Sequence, residues 1–257
     1  MKSLLSSQLQ ALGIQAGDIV LAHSSFKSLG IRDPEEILGA LLDTLGPKGT
    51  LLMPALTYQQ QPRHIHDARY TPSCVGFLTE YFRQRPGTRR SLHPTHSVCA
   101  VGSQAQAMLE NHGQDTTPCG KNSPFNQLIE RGGKILMIGC GLRPNTTMHA
   151  IEEYVCPPYL FGAEREYTIT DQDGRTFQKT YRTHGFGDYR QRYDRAAGLL
   201  NETELRTGQV GNATCHLIAA RALHRVAVAK MQEDPFYFVE LDADRLEEAR
   251  APLSQNQ

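Results

Sequence analysis

Short, nearly unbroken apolar runs recur along the chain, each followed by a stretch with helical spacing. This alternation restricts the fold more than any other feature of the sequence. Asp18-Ile19-Val20-Leu21-Ala22 reads as a buried strand ending at His23-Ser24-Ser25, and Gly49 to Pro54, Ser97 to Val101 and Lys134 to Gly139 read the same way. Runs without polar alternation suit strands covered on both faces. Between them, Asp33 to Leu45 puts Ile37, Leu38, Leu41, Leu42 and Leu45 on one helical face behind the start signal Asp33-Pro34-Glu35-Glu36. Helices are also predicted over Val75 to Arg85, Ser103 to Asn111, Pro124 to Arg131 (Ser123 as N-cap, Gly132-Gly133 as stop) and from a cap at Asn145 to about Val155. The N-terminal MKSLLSSQLQALG reads as a short amphipathic helix. The expected class is α/β, a central, mostly parallel or mixed β-sheet flanked by helices.

The second half changes character and is expected to add a C-terminal β-hairpin and a helical portion. Tyr167 to Arg182 alternates apolar and polar residues around Asp173-Gly174, a hairpin signature. Asp188 to Leu200 reads as a charged helix, Asn212 to Lys230 as a long amphipathic helix, Phe236 to Leu241 as a last strand, and the polar tail as frayed. A single domain over 1–257 is expected, with Pro157-Pro158, near residue 160, as the place where two lobes would meet at a cleft.

Charge and cysteine usage narrow the partners. Lys+Arg and Asp+Glu number 27 each, so no basic excess points to nucleic acid. No apolar run approaches the roughly 18 residues that would span a bilayer, and the N-terminus lacks the apolar core of a signal peptide. The cysteines at 74, 99, 119, 140, 156 and 215 form no CxxC pair. Reduced thiols and a cytoplasmic location are therefore expected. The oligomeric state is not fixed by the sequence, and a homodimer is compatible with it.

The stretch that carries chemistry is Asn145-Thr146-Thr147-Met148-His149-Ala150-Ile151-Glu152, just after the strand Lys134 to Gly139. Ligands of α/β sheets gather at the carboxyl ends of strands. On a helix, His149 and Glu152 share a face at i and i+3. The carboxylate can hold one imidazole nitrogen and leave the other to accept a proton. The hydroxyls of Thr146 and Thr147 and the first-turn amides can face an oxyanion. The same spacing equally fits a structural helix pair. Three segments have residues suited to phosphate: His23-Ser24-Ser25-Phe26-Lys27-Ser28-Leu29-Gly30, Gly120-Lys121-Asn122-Ser123-Pro124 at a helix start, and Arg89-Arg90-Ser91. None is a Walker A or GxGxxG motif. Rival readings are a cysteine nucleophile, with Cys140 and Cys156 near His149 in sequence; a metal-dependent hydrolase using His64-x-His66-Asp67 and His93-x-x-His96; and a CoA-binding module without catalysis.

The blocks LAHSSFKSLG, GTLLMPALTY, RSLHPTHSVCAVG, GKNSPFNQLIERGGKILMIGCG and NTTMHAIE, with a weaker GQVGNATCHLI, lie in order over most of the chain. Together they resemble the aminoglycoside 3-N-acetyltransferases, antibiotic N-acetyltransferases distinct from the GNAT superfamily. The resemblance implies an acetyl-CoA-dependent transfer to an amine of an aminoglycoside or related amino sugar by direct attack, with no metal expected. A biosynthetic N-acyltransferase acting on another amine is the alternative. On the matching positions His149 would be the base, Glu152 its partner and Thr146 the support of the thioester carbonyl or leaving sulfur. His23, Ser24, Ser25, Lys27, Ser28 and Leu29, with Gly120, Lys121 and Ser123, would hold the coenzyme. Leu56, Thr57 and Tyr58 would line the cleft. Asp67, Glu153, Asp188 and Asp194 are the acidic candidates for the acceptor. His184 would be either a second site histidine or a surface loop residue.

Overall fold

A computed structural model describes residues 2–241; the polar tail expected to fray lies outside the described residues. In chain order the strands are β1 (Ile19–Ser24), β2 (Thr50–Pro54), β3 (Ile65–Asp67), β4 (Arg89–Arg90), β5 (Val98–Gly102), β6 (Lys134–Ile138), β7 (Phe161–Thr170), β8 (Thr176–His184), β9 (Tyr189–Gln191), β10 (Leu205–Val210), β11 (Ala213–Ala219) and β12 (Val239–Leu241). The helices are α1 (Lys2–Leu12), α2 (Pro34–Leu45), α3 (Phe77–Gln84), α4 (Ala105–Leu109), α5 (Pro124–Glu130), α6 (Thr147–Val155) and α7 (Ala220–Glu233).

Seven strands build the central sheet in the order β10-β11-β6-β1-β2-β5-β4. Only β6, β1 and β2 are mutually parallel; β11 and β5 run antiparallel to their inner neighbours, and the edges β10 and β4 pair antiparallel to them. The sheet is therefore mixed. Its strands are apolar on both sides because both faces are covered. Val20, Ala22, Leu51, Met53, Leu136 and Ile138 pack with apolar residues of α1, α2 and α3. Their alternates Ile19, Leu21, Leu52, Ile135 and Met137 pack with residues of α4, α5, α6 and α7. Each Val, Leu, Ile or Met among them contributes about 1.5–3 kcal/mol on burial.

The helix starts follow their capping residues. The Asp33 carboxylate accepts from Glu35 N at 2.9 Å. The Ser123 hydroxyl accepts from Asn126 N at 3.3 Å, and the Asn145 side-chain oxygen from Thr147 N at 3.1 Å. These bonds occupy amides that a helix leaves unpaired.

Two predicted helices are not helical as drawn. Asp188 to Leu200 divides into β9 and a 3₁₀ stretch, Tyr193–Leu199, because β9 is captured by β12 through Val239↔Gln191 and Leu241↔Tyr189. Asn212 to Lys230 begins as a strand: β10 and β11 form a hairpin closed by Gly211-Asn212, with Gly211 at φ +56°. In β11 the buried Cys215 and Leu217 join one face of the core and Ile218 the other. Helical spacing and strand alternation overlap in ATCHLIA, and pairing with β6 decides for the strand. The predicted Phe236 to Leu241 strand shortens to β12.

The chain leaves the central sheet after α6, near residue 160. It forms the β7–β8 hairpin, which with β3 makes a three-stranded sheet. Arg182 N donates to Thr116 O at 2.8 Å and Lys179 Nζ to Gly113 O and Asp115 O at 2.6 and 2.7 Å, tying this hairpin to the segment before α5.

Leu21, fully buried at the centre of the sheet, is the stringent test of this packing. Leu21→Ala is expected to lower unfolding free energy by about 2–5 kcal/mol, read from urea denaturation; a change within experimental error would show that the sheet centre is not the core.

Candidate active site

The three parallel strands end at one edge of the sheet, and a cavity of about 730 Å³ opens there. Its wall takes His23 and Ser24 from the end of β1; Pro54, Leu56 and Tyr58 from the end of β2; and Cys140, Arg143 and Asn145 from the loop after β6. Because β5 runs antiparallel to β2, with Pro54 opposite Val98, the residues that precede β5 reach the same edge. That geometry brings in His96. Thr146 and His149 come from the start of α6, and His184, Phe186, Gln191 and Tyr193 close the wall from the second half of the chain.

His149 and Glu152 meet as their helical spacing requires. His149 Nδ1 lies 3.0 Å from Glu152 Oε2. Glu152 is completely buried, which would cost several kcal/mol for an unpaired carboxylate. Two phenols join the histidine in satisfying it: Tyr159 OH donates to Oε1 at 2.9 Å and Tyr193 OH donates to Oε2 at 2.7 Å. Tyr193 OH also lies 2.9 Å from His149 Nδ1. The His149 tautomer that donates from Nδ1 to Glu152 fits their contact and leaves the lone pair on Nε2. Burial, followed by the Glu152 charge, pushes the Tyr159 and Tyr193 phenols far above their usual range, so both remain donors.

Other imidazoles surround that ring. His96 and His184 lie with ring centroids 5.9 and 5.0 Å from His149. Burial and the neighbouring histidines hold both well below the usual imidazole range. His23, with Nε2 buried and unpartnered, is lowered to about 3 by burial and then by His149. Phe186 packs 5.2 Å from His149 on a backbone with φ 48°, an uncommon conformation for a bulky residue. Gly185 permits the turn: a Cβ there would stand 2.9 Å from Gly162 Cα.

The expected site residues are only partly brought together. His23, Ser24, Tyr58, Thr146, His149 and His184 line the cavity, with Glu152 behind His149. Thr57 does not: it is fully buried and its hydroxyl donates to Pro94 O at 2.6 Å. Leu29 is core, and the Ser28 hydroxyl donates to Ser25 O at 2.6 Å, while Ser25 N donates to Ile138 O. Lys27 is exposed on the 3₁₀ turn and off the cavity wall. The loop Gly120-Lys121-Asn122-Ser123 already faces an anion of its own chain, since the Asp115 carboxylate accepts from Asn122 N at 3.0 Å and Asn122 Nδ2 at 2.8 Å. Ser123 is buried as the cap of α5 and Lys121 is exposed.

Three of the four acidic candidates are engaged elsewhere. Asp67 forms a two-point ion pair with Arg69, and Asp194 pairs with Arg192 at 2.9 Å. Asp188 is exposed and does not line the cavity. Glu153 turns inward and accepts from Thr117 Oγ1 at 2.5 Å, Cys119 N at 2.7 Å and His184 Nε2 at 2.7 Å. His184 is thus no surface loop residue; its side chain is 6% exposed. Among the described residues, no carboxylate lines the cavity, and Arg143 is its one formally charged group.

The rival chemistries fare differently. Of the six cysteines only Cys140 lines the cavity, where it is half-buried. Burial pushes its thiol up to about 11, unsuited to a thiolate nucleophile. The two metal-type motifs do not converge: His64 is exposed, His66 Nδ1 contacts Gln60 Oε1, and His93 Nδ1 accepts from Thr95 N and His96 N. Sequence reasoning missed His96 as a cavity residue, and also Tyr159, Tyr193, Arg143 and Phe186. The local signals for His96 were its place just before a predicted strand and its appearance in the His93-x-x-His96 motif.

Comparison with known proteins gives a consistent result. The profile of the family described as Aminoglycoside 3-N-acetyltransferase matches residues 21–232. The chain is 32% identical to aminoglycoside N(3)-acetyltransferase IV of Salmonella sp, covering 93% of this chain and 90% of that protein. It is 30% identical to aminoglycoside N(3)-acetyltransferase VII of Streptomyces paromomycinus, over 90% and 91%. Among solved structures, a mutant of aminoglycoside acetyltransferase AAC(3)-IVa in complex with a gentamicin superposes with a TM-score of 0.80 at 30% identity, over 95% of this chain and 93% of that one. The AAC-IIIb binary with CoASH gives 0.78 at 28% identity, over 91% and 96%.

The inward Glu153 generates a stability prediction. Burial raises its carboxyl from 4.5 to about 7, against the pull of its hydrogen bonds. The folded state then binds the extra proton between these values, so stability falls as pH rises from about 4.5 to about 7. Glu153→Gln is expected to flatten that fall in urea denaturation followed across the window; an unchanged pH slope would show that Glu153 is not its source.

Proposed function

Because the chain belongs to the aminoglycoside 3-N-acetyltransferase family, we propose that it transfers the acetyl group of acetyl-CoA to an amine of an aminoglycoside or related amino sugar by direct attack. A neighbour of the same fold is a binary complex with CoASH and another holds a gentamicin, which supports both co-substrates. The volume of the cavity lies within the range of sites that enclose small molecules. The six cysteines are free, and no described helix is long and apolar enough to cross a membrane. Both features fit our placement of the reaction in the reducing cytoplasm, where acetyl-CoA is available.

The observation that carries the reading is the 3.0 Å contact of His149 Nδ1 with the buried Glu152 Oε2. With Nδ1–H committed to Glu152, Nε2 carries the lone pair on a ring that lines the cavity. An amino-sugar nitrogen is an ammonium near neutral pH and has no electron pair with which to attack a thioester. His149 Nε2 takes its proton, and the ring becomes an imidazolium stabilised by the Glu152 charge 3.0 Å away. The neutral amine then bonds to the acetyl carbon. Thr146 and the amide end of α6 face the oxygen that becomes negative. As the tetrahedral centre collapses the carbon–sulfur bond breaks and the thiolate of the coenzyme departs; it takes up, through solvent, the proton that the attacking nitrogen loses on becoming an amide, and the imidazolium returns its own proton to solvent. Arg143, exposed at the edge of the cavity, is suited to the coenzyme phosphates.

The absence of a carboxylate among the described lining residues bears on the acceptor. Imidazole and hydroxyl lone pairs, rather than carboxylates, meet the amine among the described lining residues. This favours an amino sugar of modest charge over the most polycationic drugs, and the acceptor panel should be arranged by charge.

His149→Ala is expected to lower kcat by about 10²–10⁴-fold, the usual loss on removing a general base, with acetyl-CoA affinity retained in calorimetry. Equal turnover by the two proteins in a thiol-release assay would remove His149 from this role.

A further inference from the structure

Three imidazoles from distant parts of the chain converge on the cavity wall: His96 before β5, His149 on α6 and His184 at the end of β8. One ring nitrogen from each lies within 4.8 Å of the other two. Each ring is also held by an oxygen behind it. His149 Nδ1 is 3.0 Å from Glu152 Oε2, His184 Nε2 is 2.7 Å from Glu153 Oε1, and His96 Nδ1 is 2.9 Å from Thr95 Oγ1. The second nitrogen of every ring is left over, and that of His184, Nδ1, is buried without any partner. An imidazole with one nitrogen donated to a carboxylate or hydroxyl and the other free is the arrangement in which histidine binds metals. General-base chemistry needs only one such ring; here there are three, two of them backed by carboxylates.

We propose that His96, His149 and His184 form a binding site for Zn²⁺, with its fourth coordination position open to the cavity, and that an ion bound there silences acetyl transfer by occupying the lone pair of His149. Nitrogen ligands with no carboxylate among them select a borderline transition ion over Mg²⁺ or Ca²⁺. Three nitrogens at about 2.0–2.1 Å from a tetrahedral centre stand ~3.4 Å apart, so the rings need to draw in by on the order of 1 Å from their present spacing. The silencing rests on the role proposed for His149; the binding does not.

The test uses the full-length enzyme stripped of metal by a chelator and titrated with Zn²⁺, and with Co²⁺ as the spectroscopic probe. One equivalent should bind, Co²⁺ should show the visible absorption of a tetrahedral site, and transfer should fall by about 10²–10⁴-fold in step with occupancy and return on chelation. His96→Gln and His184→Gln, each checked for folding by circular dichroism, should lose the cobalt band and the stoichiometric uptake. His216→Gln, on β11 away from the cavity, should keep both. Absence of stoichiometric uptake, or uptake unchanged in a folded His96→Gln or His184→Gln protein, would overturn the site. Full transfer by the metal-loaded enzyme would overturn the silencing; the turnover of His149→Ala then shows separately whether the general-base reading itself stands.

Discussion

A carboxylate buried without solvent has to be surrounded by donors, and Glu152 organises the centre of this protein through that requirement. Its three partners come from three places: His149 from its own helix, Tyr159 from the segment that leaves α6, and Tyr193 from the 3₁₀ stretch after β9. Satisfying Glu152 therefore fastens the second half of the chain to the first. The same bonds fit the tautomer of His149 that donates from Nδ1. The cost of burying the charge and the orientation of the His149 ring are met by one set of contacts.

The sheet supplies the frame for that centre. Its three parallel strands end together, which collects the loops after β1, β2 and β6 on one edge. The antiparallel β5 adds the residues before it rather than after it, and places His96 opposite His149. A wholly parallel sheet would send those residues to the far edge. Mixed polarity is thus a condition of the histidine cluster.

Burial also sets the electrical character of the cavity. The histidines around His149 are held neutral by desolvation. Glu153 lies behind His184, tied to Thr117 and Cys119. Away from Arg143, a wall of imidazole and hydroxyl lone pairs favours a group that brings its own positive charge. The loop at the start of α5 shows the converse. Its amides and the Asn122 side chain face Asp115, so the chain fills with its own carboxylate a place that its sequence offers to an external anion.

Interactions between residues near in sequence were legible without coordinates. The apolar runs that become β1, β2, β5 and β6, the caps Asp33, Ser123 and Asn145, and the His149–Glu152 pair follow from spacing, since one helical turn fixes which side chains meet. The ordered blocks also marked the family. What spacing could not decide was anything that depends on a partner far along the chain. ATCHLIA becomes a strand because β6 pairs with it, and β9 forms because β12 does. His96, His184 and Tyr193 reach His149 through the polarity of β5, the β7–β8 hairpin and the burial of Glu152. A local pattern fixes an angle around one helix; only the packing of whole elements fixes which distant side chain stands across from it.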